Sequence, residues 1–298
     1  MNILIAHTHA QSAKRWQEEM LALLPNASIE VWPQVEPAWA DYAIGWQPPE
    51  ELFASQTTLK AFFSAAAGVD HLLNNSALPK DLPIIRLEDA GMGLQMAEYC
   101  LLEVGRQYHR RDDYLAQQRA QTWGFLKSEK RSEFVVGIFG AGVLAKEIVK
   151  GLSGFGYRSQ TFSRSSTQAL TNFLSTSQVL ILCAPLTSET QDYFNAEKFA
   201  MLPKGAYVIN VARGGLIIDH DLLTSIDSGH LSGATLDVFR EEPLPQNHRF
   251  WLHPKIRMTP HVSAVTLIGP STKQVAKKLE QFSQGQAVTG LVDRKKGY

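Results

Sequence analysis

Short apolar runs alternate with helical patterns along almost the whole chain. The first series of runs lies at 3–6, 29–32, 42–44 and 59–64, and an amphipathic stretch at 16–24 follows its first member. The second series, rich in Val, Ile and Leu, lies at 134–139, 158–162, 179–184, 207–210, 234–238 and 257–259. Continuous apolar strands separated by helix-sized intervals predict an α/β fold, with parallel sheets covered by helices on both faces.

Two helices outside these series bear on the domain organisation. A long helix is predicted at 94–118, with Met96, Cys100 and Val104 on one side. A last helix is predicted at 271–285, after a Gly-Pro pair at which the chain could cross back to the first domain. A chain of 298 residues is longer than a single core usually fills. We therefore expect two domains, and a return of the chain at that pair would make the first one discontinuous.

Composition narrows the classes of partner. Lys and Arg total 29, and so do Asp and Glu, so no excess positive charge favours nucleic acid or an anionic membrane. The two cysteines support neither a disulfide framework nor, without a CxxC motif, a metal site. Apolar runs fall far short of the roughly 20 residues that span a bilayer, and the first residues do not resemble a signal peptide. We expect a cytoplasmic protein that acts on a small molecule.

The strongest local motif follows the first run of the second series. Residues 135–145 read VVGIFGAGVLA, a G-x-G-x-x-A form of the dinucleotide fingerprint. Gly140 permits the tight turn, Gly142 lets the backbone approach a pyrophosphate, and Ala145 permits close helix packing. Val143 and Leu144 open the helix, whose free N–H groups would face the phosphates. A glycine-rich turn without a ligand is the alternative, but the flanking strand and helix favour dinucleotide binding.

The end of the next strand distinguishes NADPH from NADH. An NAD site usually places a carboxylate there for the ribose 2′-hydroxyl, whereas residues 161–166 read TFSRSS. A cation between hydroxyls, as in Ser163, Arg164 and Ser165, suits a 2′-phosphate. A solvated loop arginine is the alternative. We predict NADP as the cofactor, with NADPH preferred over NADH.

Polar residues follow three strands of the second series: Arg213, Glu242 and His261. Because the carboxyl ends of strands face the ligand crevice in a doubly wound sheet, the three could converge beside a nicotinamide. Singly, each has another reading: a surface or capping arginine, a glutamate in a charged run, and a satisfied buried histidine. Their joint occurrence at strand ends favours catalysis.

Several segments together resemble the D-isomer-specific 2-hydroxyacid dehydrogenase family. They are 140–145, CAPLT at 183–187, NVARG at 210–214, LDVFREEPLP at 236–245 and TPH at 259–261. Within the family the chain is similar to the glyoxylate/hydroxypyruvate reductases, through WQPP at 46–49, AGVD at 67–70, RLEDAGMG at 86–93 and the ending from 292. Gln47 departs from the histidine usual in that subgroup, and Ala145 replaces the third glycine.

The resemblance implies a site organisation. His261 would be the general acid, Glu242 would orient its ring, and Arg213 would polarise the substrate carbonyl and hold its carboxylate. Asp237 would lie near the nicotinamide carboxamide. Further expected cofactor contacts are Ala184, Pro185, Val211 and Ser263. The expected substrate contacts are Arg213, the backbone N–H groups at Ala67, Gly68 and Val69, and the pocket walls Trp46 and Met92, for which ordinary core packing is the alternative.

The resemblance also implies an architecture and an activity. We expect two Rossmann-like doubly wound domains: a discontinuous, flavodoxin-like substrate domain at 1–96 and 270–298, and a dinucleotide-binding Rossmann domain at 97–269. We expect NADPH-dependent reduction of small 2-oxo acids, glyoxylate to glycolate and hydroxypyruvate to D-glycerate, by a homodimer that uses no metal. The alternative is a dinucleotide-sensing regulatory protein with the same fold and little turnover.

Overall fold

Two units make up the chain in the computed structural model, which describes residues 1–127, 129–163 and 166–298. The first unit combines Met1–Met92 with Thr266–Tyr298, and the second is Gly93–Val265. The first is therefore discontinuous, because a long insertion separates its two segments. The boundaries predicted from the sequence, at residues 96 and 269, lie close to these.

The first unit is built on a parallel sheet with the strand order β2-β1-β3-β4-β5, which is the flavodoxin-like order. Both faces of the strands are covered, and Leu4, Ala43 and Phe62 are fully buried. The elements are β1 (Asn2–His7), α1 (Ala10–Leu23), β2 (Ser28–Val31), β3 (Tyr42–Trp46), α2 (Glu50–Ser55), β4 (Ala61–Ser64), α3 (Asp70–Leu73) and β5 (Ile84–Arg86).

The second unit is built on a parallel sheet with the order β11-β10-β9-β8-β6-β7. The direction of winding reverses between β6 and β8, and in doubly wound sheets ligands bind at such a reversal. The elements are α4 (Met92–Tyr108), α5 (Arg111–Arg119), β6 (Val135–Phe139), α6 (Val143–Gly154), β7 (Arg158–Phe162), α7 (Leu170–Ser175), β8 (Val179–Leu182), α8 (Ala196–Ala200), β9 (Ala206–Asn210), α9 (Asp219–Asp227), β10 (Leu231–Leu236) and β11 (Ile256–Met258). Short 3₁₀ helices lie at Gly214–Leu216 and Arg249–Leu252.

The sequence of strand β8 is continuously apolar because both of its faces are buried. Leu180 and Leu182 pack into the core on one face of the sheet, while Val179 and Ile181 pack into the core on the other. Since successive side chains point to opposite faces, a strand buried on both sides has no position for a polar residue. The predicted α/β class, with two parallel sheets, is confirmed.

The single helix predicted at 94–118 is wrong: α4 ends at Tyr108 and α5 begins at Arg111. Arg110 adopts a left-handed conformation, with φ 51° and ψ 39°, which a continuous helix does not allow. The break places Asp112 and Asp113 in the first turn of α5, where the helix dipole favours negative charge. Residues 106–113 contain neither Gly nor Pro, and α5 buries no residue, so no local signal in the sequence revealed the break.

Two further elements differ from the sequence prediction. The last helix, α10 (Ile268–Ser283), begins before the Gly-Pro pair rather than after it. Pro270 is tolerated there because the first N–H groups of a helix have no intrahelical acceptor. Strand β5 was not predicted, since three residues are too few to show a period. In the described part of the chain, every helix is too short or too polar to cross a membrane.

Candidate active site

The glycine loop joins β6 to α6 as the fingerprint predicts. Gly140 has φ 136°, and a Cβ there would lie 2.4 Å from the carbonyl oxygen of Cys183, so only glycine fits. Gly142 precedes the first helical residue, and a Cβ there would meet no atom of the described residues within 4 Å. Ala145 is fully buried. The first glycine and the alanine therefore serve packing, whereas the second leaves open space beside the backbone.

The start of α6 can bind an anion. The first hydrogen bond of the helix runs from the Lys146 N–H to the Gly142 carbonyl (3.1 Å). The N–H groups of Val143 and Leu144 come before it and therefore have no acceptor within the helix. Among the described residues, no side chain caps this end. Uncapped N–H groups and the positive end of the helix dipole suit a phosphate, so these residues fit a dinucleotide.

A turn follows β7 beside the glycine loop. The Ser163 N–H donates to Ser166 Oγ (2.8 Å), and the Ser166 N–H donates to the Ser163 carbonyl (2.9 Å). The Gly140 N–H donates to the Phe162 carbonyl (2.8 Å), which ties the turn to the glycine loop. Arg164 and Ser165, the centre of the predicted 2′-phosphate site, lie outside the described residues.

The other predicted cofactor contacts also follow strands of the second sheet. Ala184 and Pro185 follow β8, and a Cβ on Gly140 would overlap the carbonyl of Cys183, the residue just before them. Val211 follows β9, and its N–H donates to the Leu182 carbonyl (3.3 Å). These residues lie at the edge of the sheet that carries the glycine loop. Their contact with a cofactor stays a prediction.

Asp237 follows β10 and is fully buried. Its Oδ1 accepts hydrogen bonds from the Thr259 hydroxyl (2.6 Å) and the Val262 N–H (2.8 Å). Its Oδ2 accepts one from the Ser263 N–H (2.9 Å), and its carbonyl accepts one from the His261 N–H (2.8 Å). The carboxylate therefore organises the loop from 259 to 263, which includes the predicted cofactor residue Ser263. The contact of Asp237 with the nicotinamide carboxamide stays a prediction.

His261 and Glu242 form a hydrogen-bonded pair. His261 has φ 56°, an uncommon conformation for a residue other than glycine, and such outliers concentrate at functional sites. Its Nδ1 lies 2.7 Å from Glu242 Oε2, and the Phe239 N–H donates to Glu242 Oε1 (2.9 Å). Since a carboxylate only accepts, Nδ1 carries a hydrogen, and Nε2 can donate only when the ring is charged.

The electrostatics of this pair favour a charged Glu242. Burial alone would raise the pKa of Glu242, but the hydrogen bonds from His261 and the Phe239 N–H and the charges of His261 and Arg213 lower it. Glu242 is therefore ionised at neutral pH. The influence of Arg213 on its pKa indicates that the predicted catalytic residues share one electrostatic environment.

Arg213 is held by a backbone clamp that the sequence analysis missed. Asn210, the last residue of β9, donates from Nδ2 to the Arg213 carbonyl (3.0 Å) and accepts from the Ala212 N–H (3.1 Å). A Cβ at Gly214 would lie 1.9 Å from the Phe239 carbonyl carbon, so this glycine lets the Arg213 loop touch the loop that carries Glu242. An amide side chain at a strand end is a signal that could have revealed the clamp.

The predicted substrate contacts other than Arg213 belong to the first unit. Trp46 ends β3 and is half-buried, with the ring centroids of His7 and His71 6.3 and 5.9 Å from its own. The loop of Ala67, Gly68 and Val69 follows β4. Their substrate role, like that of the buried Met92, stays a prediction. No group of three or more potential ligands among the described residues could hold a metal ion.

Comparison with known proteins assigns the family. The profile described as D-isomer specific 2-hydroxyacid dehydrogenase, NAD binding domain, matches residues 99–263. The chain belongs to this family. Glyoxylate/hydroxypyruvate reductase A of Yersinia enterocolitica is 39% identical and that of Photorhabdus laumondii 40% identical, and each match covers all of both chains.

Solved structures agree over the whole chain. The D-isomer specific 2-hydroxyacid dehydrogenase of Xanthobacter autotrophicus Py2, in complex with NADPH and MES, matches with a TM-score of 0.93 at 30% identity and covers 99% of both chains. The NADPH-dependent glyoxylate/hydroxypyruvate reductase of Sinorhizobium meliloti, in complex with NADP and sulfate, matches with a TM-score of 0.92 at 29% identity, over 100% of this chain and 99% of that one. The resemblance found in the sequence is confirmed.

Two alanine variants should separate packing from ligand binding in the glycine loop. Gly140→Ala should lower the melting temperature, because its Cβ would overlap the Cys183 carbonyl and such overpacking costs about 1–3 kcal/mol. Gly142→Ala should melt like the wild type yet bind nicotinamide dinucleotide at least about tenfold more weakly. Thermal melts and fluorescence titration measure both. Unchanged affinity in Gly142→Ala would contradict the assignment of the pyrophosphate site.

Proposed function

We propose that this protein is an NADPH-dependent reductase of small 2-oxo acids, converting glyoxylate to glycolate and hydroxypyruvate to D-glycerate. The observation that carries the proposal is the His261–Glu242 pair (2.7 Å) at the edge of the dinucleotide-binding sheet. Full-length relatives named as glyoxylate/hydroxypyruvate reductases support it, as do similar structures crystallised with NADPH or NADP.

His261 is the proton donor of the reaction. When bound, NADPH supplies the hydride that reaches the carbonyl carbon. The oxygen then needs a proton, and the charged imidazolium of His261 delivers it from Nε2. Glu242 keeps the ring oriented by accepting the Nδ1 hydrogen, and its negative charge stabilises the imidazolium.

Arg213 binds the anionic end of the substrate. Its guanidinium is always charged, and its planar fork matches a carboxylate. The same charge polarises the carbonyl and stabilises negative charge that develops on its oxygen. Contacts of the substrate with the N–H groups at Ala67, Gly68 and Val69 and with Trp46 and Met92 are part of the proposal.

The cofactor preference rests on the turn after β7. Gly142, Val143 and Leu144 hold the pyrophosphate in this proposal, and Ser163, Arg164 and Ser165 hold the 2′-phosphate. Strand β7 ends without a carboxylate that would repel this phosphate. Ala184, Pro185, Val211, Asp237 and Ser263 complete the proposed cofactor contacts.

We further propose a cytoplasmic homodimer that binds neither nucleic acid nor membrane. Leu94 and Leu102, on α4, are 73% and 68% exposed, and Trp123 and Phe125, just beyond α5, are 104% and 87% exposed. Large apolar side chains this exposed within one stretch of the chain, residues 94–125, support the proposal of an interface. Light scattering should give twice the mass of one chain, and a mass of one chain would contradict the dimer.

Absorbance of the reduced cofactor tests the proposed function. We expect oxidation of NADPH with glyoxylate and hydroxypyruvate, slower oxidation with pyruvate and 2-oxoisocaproate, and a higher kcat/KM with NADPH than with NADH. A protein that binds NADPH but oxidises it with none of these acids would support the regulatory alternative, for which the relatives offer no support.

Replacing Glu242 with Gln should slow reduction without weakening the binding of NADPH. The amide keeps the size of the side chain but carries no charge opposite the ring that Glu242 orients. We expect kcat to fall at least about tenfold, with the KM for NADPH within about twofold of the wild type. Glu241→Gln, the same change at the neighbouring exposed residue, is the control and should keep the wild-type kcat. Equal kcat values for all three proteins would remove Glu242 from its role.

A further inference from the structure

A chain of hydroxyl groups leads from helix α4 to the catalytic loop. The Tyr99 hydroxyl lies 2.6 Å from Thr259 Oγ1, which lies 2.6 Å from Asp237 Oδ1. Asp237 in turn accepts the His261 N–H at its carbonyl (2.8 Å). All four residues belong to the second unit. Tyr99 is thus connected to the proposed proton donor without touching it.

The direction of these hydrogen bonds follows from the donors available. The Asp237 carboxylate can only accept hydrogen bonds, so the Thr259 hydroxyl donates its single hydrogen to Oδ1. The contact between Tyr99 and Thr259 therefore has Tyr99 as donor. Burial, acting with the negative charges of Asp237 and Glu103, raises the pKa of Tyr99, so the phenol keeps the hydrogen that this direction requires.

Thr259 has a fixed place between α4 and the sheet. It immediately follows β11, and its N–H donates to the Leu236 carbonyl (3.1 Å), the residue before Asp237. Its hydroxyl can rotate, and the Tyr99 donor selects the rotation in which the hydrogen points at Asp237. The carboxylate then accepts hydrogen bonds from the N–H groups of Val262 and Ser263, the two residues that follow the strained backbone at His261 (φ 56°).

A second tyrosine provides an internal control. The Tyr207 hydroxyl lies 2.9 Å from Thr235 Oγ1, and Thr235 donates to Glu103 Oε2 (2.7 Å). Each tyrosine therefore pairs with a threonine: Tyr99 with Thr259, just after β11, and Tyr207 with Thr235 of β10. The Tyr207 pair ends on Glu103 of α4 rather than on Asp237. Loss of its hydroxyl should cost stability without displacing His261.

We propose that Tyr99 is a positioning residue for His261, acting through Thr259 and Asp237. The inference rests on the proposed role of His261 as proton donor. Without the Tyr99 hydroxyl, Thr259 Oγ1 loses the donor that orients it, and the loop samples arrangements in which Nε2 is misplaced. Small misplacements of a reacting group are costly to rate, whereas cofactor binding at the glycine loop is unaffected.

Steady-state kinetics with NADPH and glyoxylate test the proposal on the full-length protein. Tyr99→Phe should lower kcat about tenfold and leave the KM for NADPH within about twofold of the wild type. The solvent deuterium isotope effect on kcat should rise, because proton transfer becomes more rate-limiting. Tyr207→Phe should lower the melting temperature but keep both kcat and the isotope effect. A Tyr99→Phe protein that matches Tyr207→Phe in kcat, in the KM for NADPH and in the isotope effect would overturn the proposal.

Variants at Thr259 keep the test decisive if Tyr99→Phe folds poorly. Thr259→Ser retains the hydroxyl and should retain activity. Thr259→Val should lower kcat and raise the solvent isotope effect by more than Tyr99→Phe does. The double variant Tyr99→Phe with Thr259→Val should lose no more than Thr259→Val alone, because both changes interrupt one chain. Additive losses would contradict the inference.

Failure of the inference and failure of the proposed function give different results. A wild-type protein that oxidises no NADPH with either 2-oxo acid removes the function and the inference together. An active wild type with an unaffected Tyr99→Phe variant removes the inference alone.

Discussion

The buried carboxylate of Asp237 is the constraint on which the candidate catalytic centre depends. It accepts hydrogen bonds from Thr259, Val262 and Ser263, and its own carbonyl accepts the His261 N–H. A buried carboxylate destabilises the fold unless its oxygens accept hydrogen bonds, so these bonds stabilise the conformation of the loop from 259 to 263. The left-handed backbone of His261 is maintained by these bonds rather than by its own preference.

The charges of the site are local, because the chain is neutral overall. The uncapped start of α6 suits a pyrophosphate. Arg213 and a protonated His261 supply positive charge, and Glu242 lies within the influence of both. In the proposed mechanism a charged His261 donates a proton from Nε2, and the Arg213 guanidinium binds a small carboxylate. This arrangement matches the chemistry of a 2-oxo acid, which offers a carbonyl oxygen and an adjacent anionic group.

Sequence patterns predicted the parts of the structure that depend on local rules. The glycine loop has a fixed spacing, and Gly140, Gly142 and Ala145 occupy the positions that the spacing implies. Glu242 and His261 were recognised because each follows a strand, and the structure joins them. Features that depend on contacts between distant residues were missed, as with the Tyr99–Thr259 bond across 160 positions. The break at Arg110 was missed because the left-handed residue is an arginine, and neither Gly nor Pro marks the position.

A single-turnover measurement on His261→Asn tests the central claim most directly. Stopped-flow mixing of the preformed NADPH complex with glyoxylate isolates the chemical step from product release. We predict NADPH affinity equal to that of the wild type and oxidation slowed by about 10²–10⁴-fold, the usual contribution of a positioned acid. A single-turnover rate within about twofold of the wild type would contradict the assignment of His261 as the proton donor.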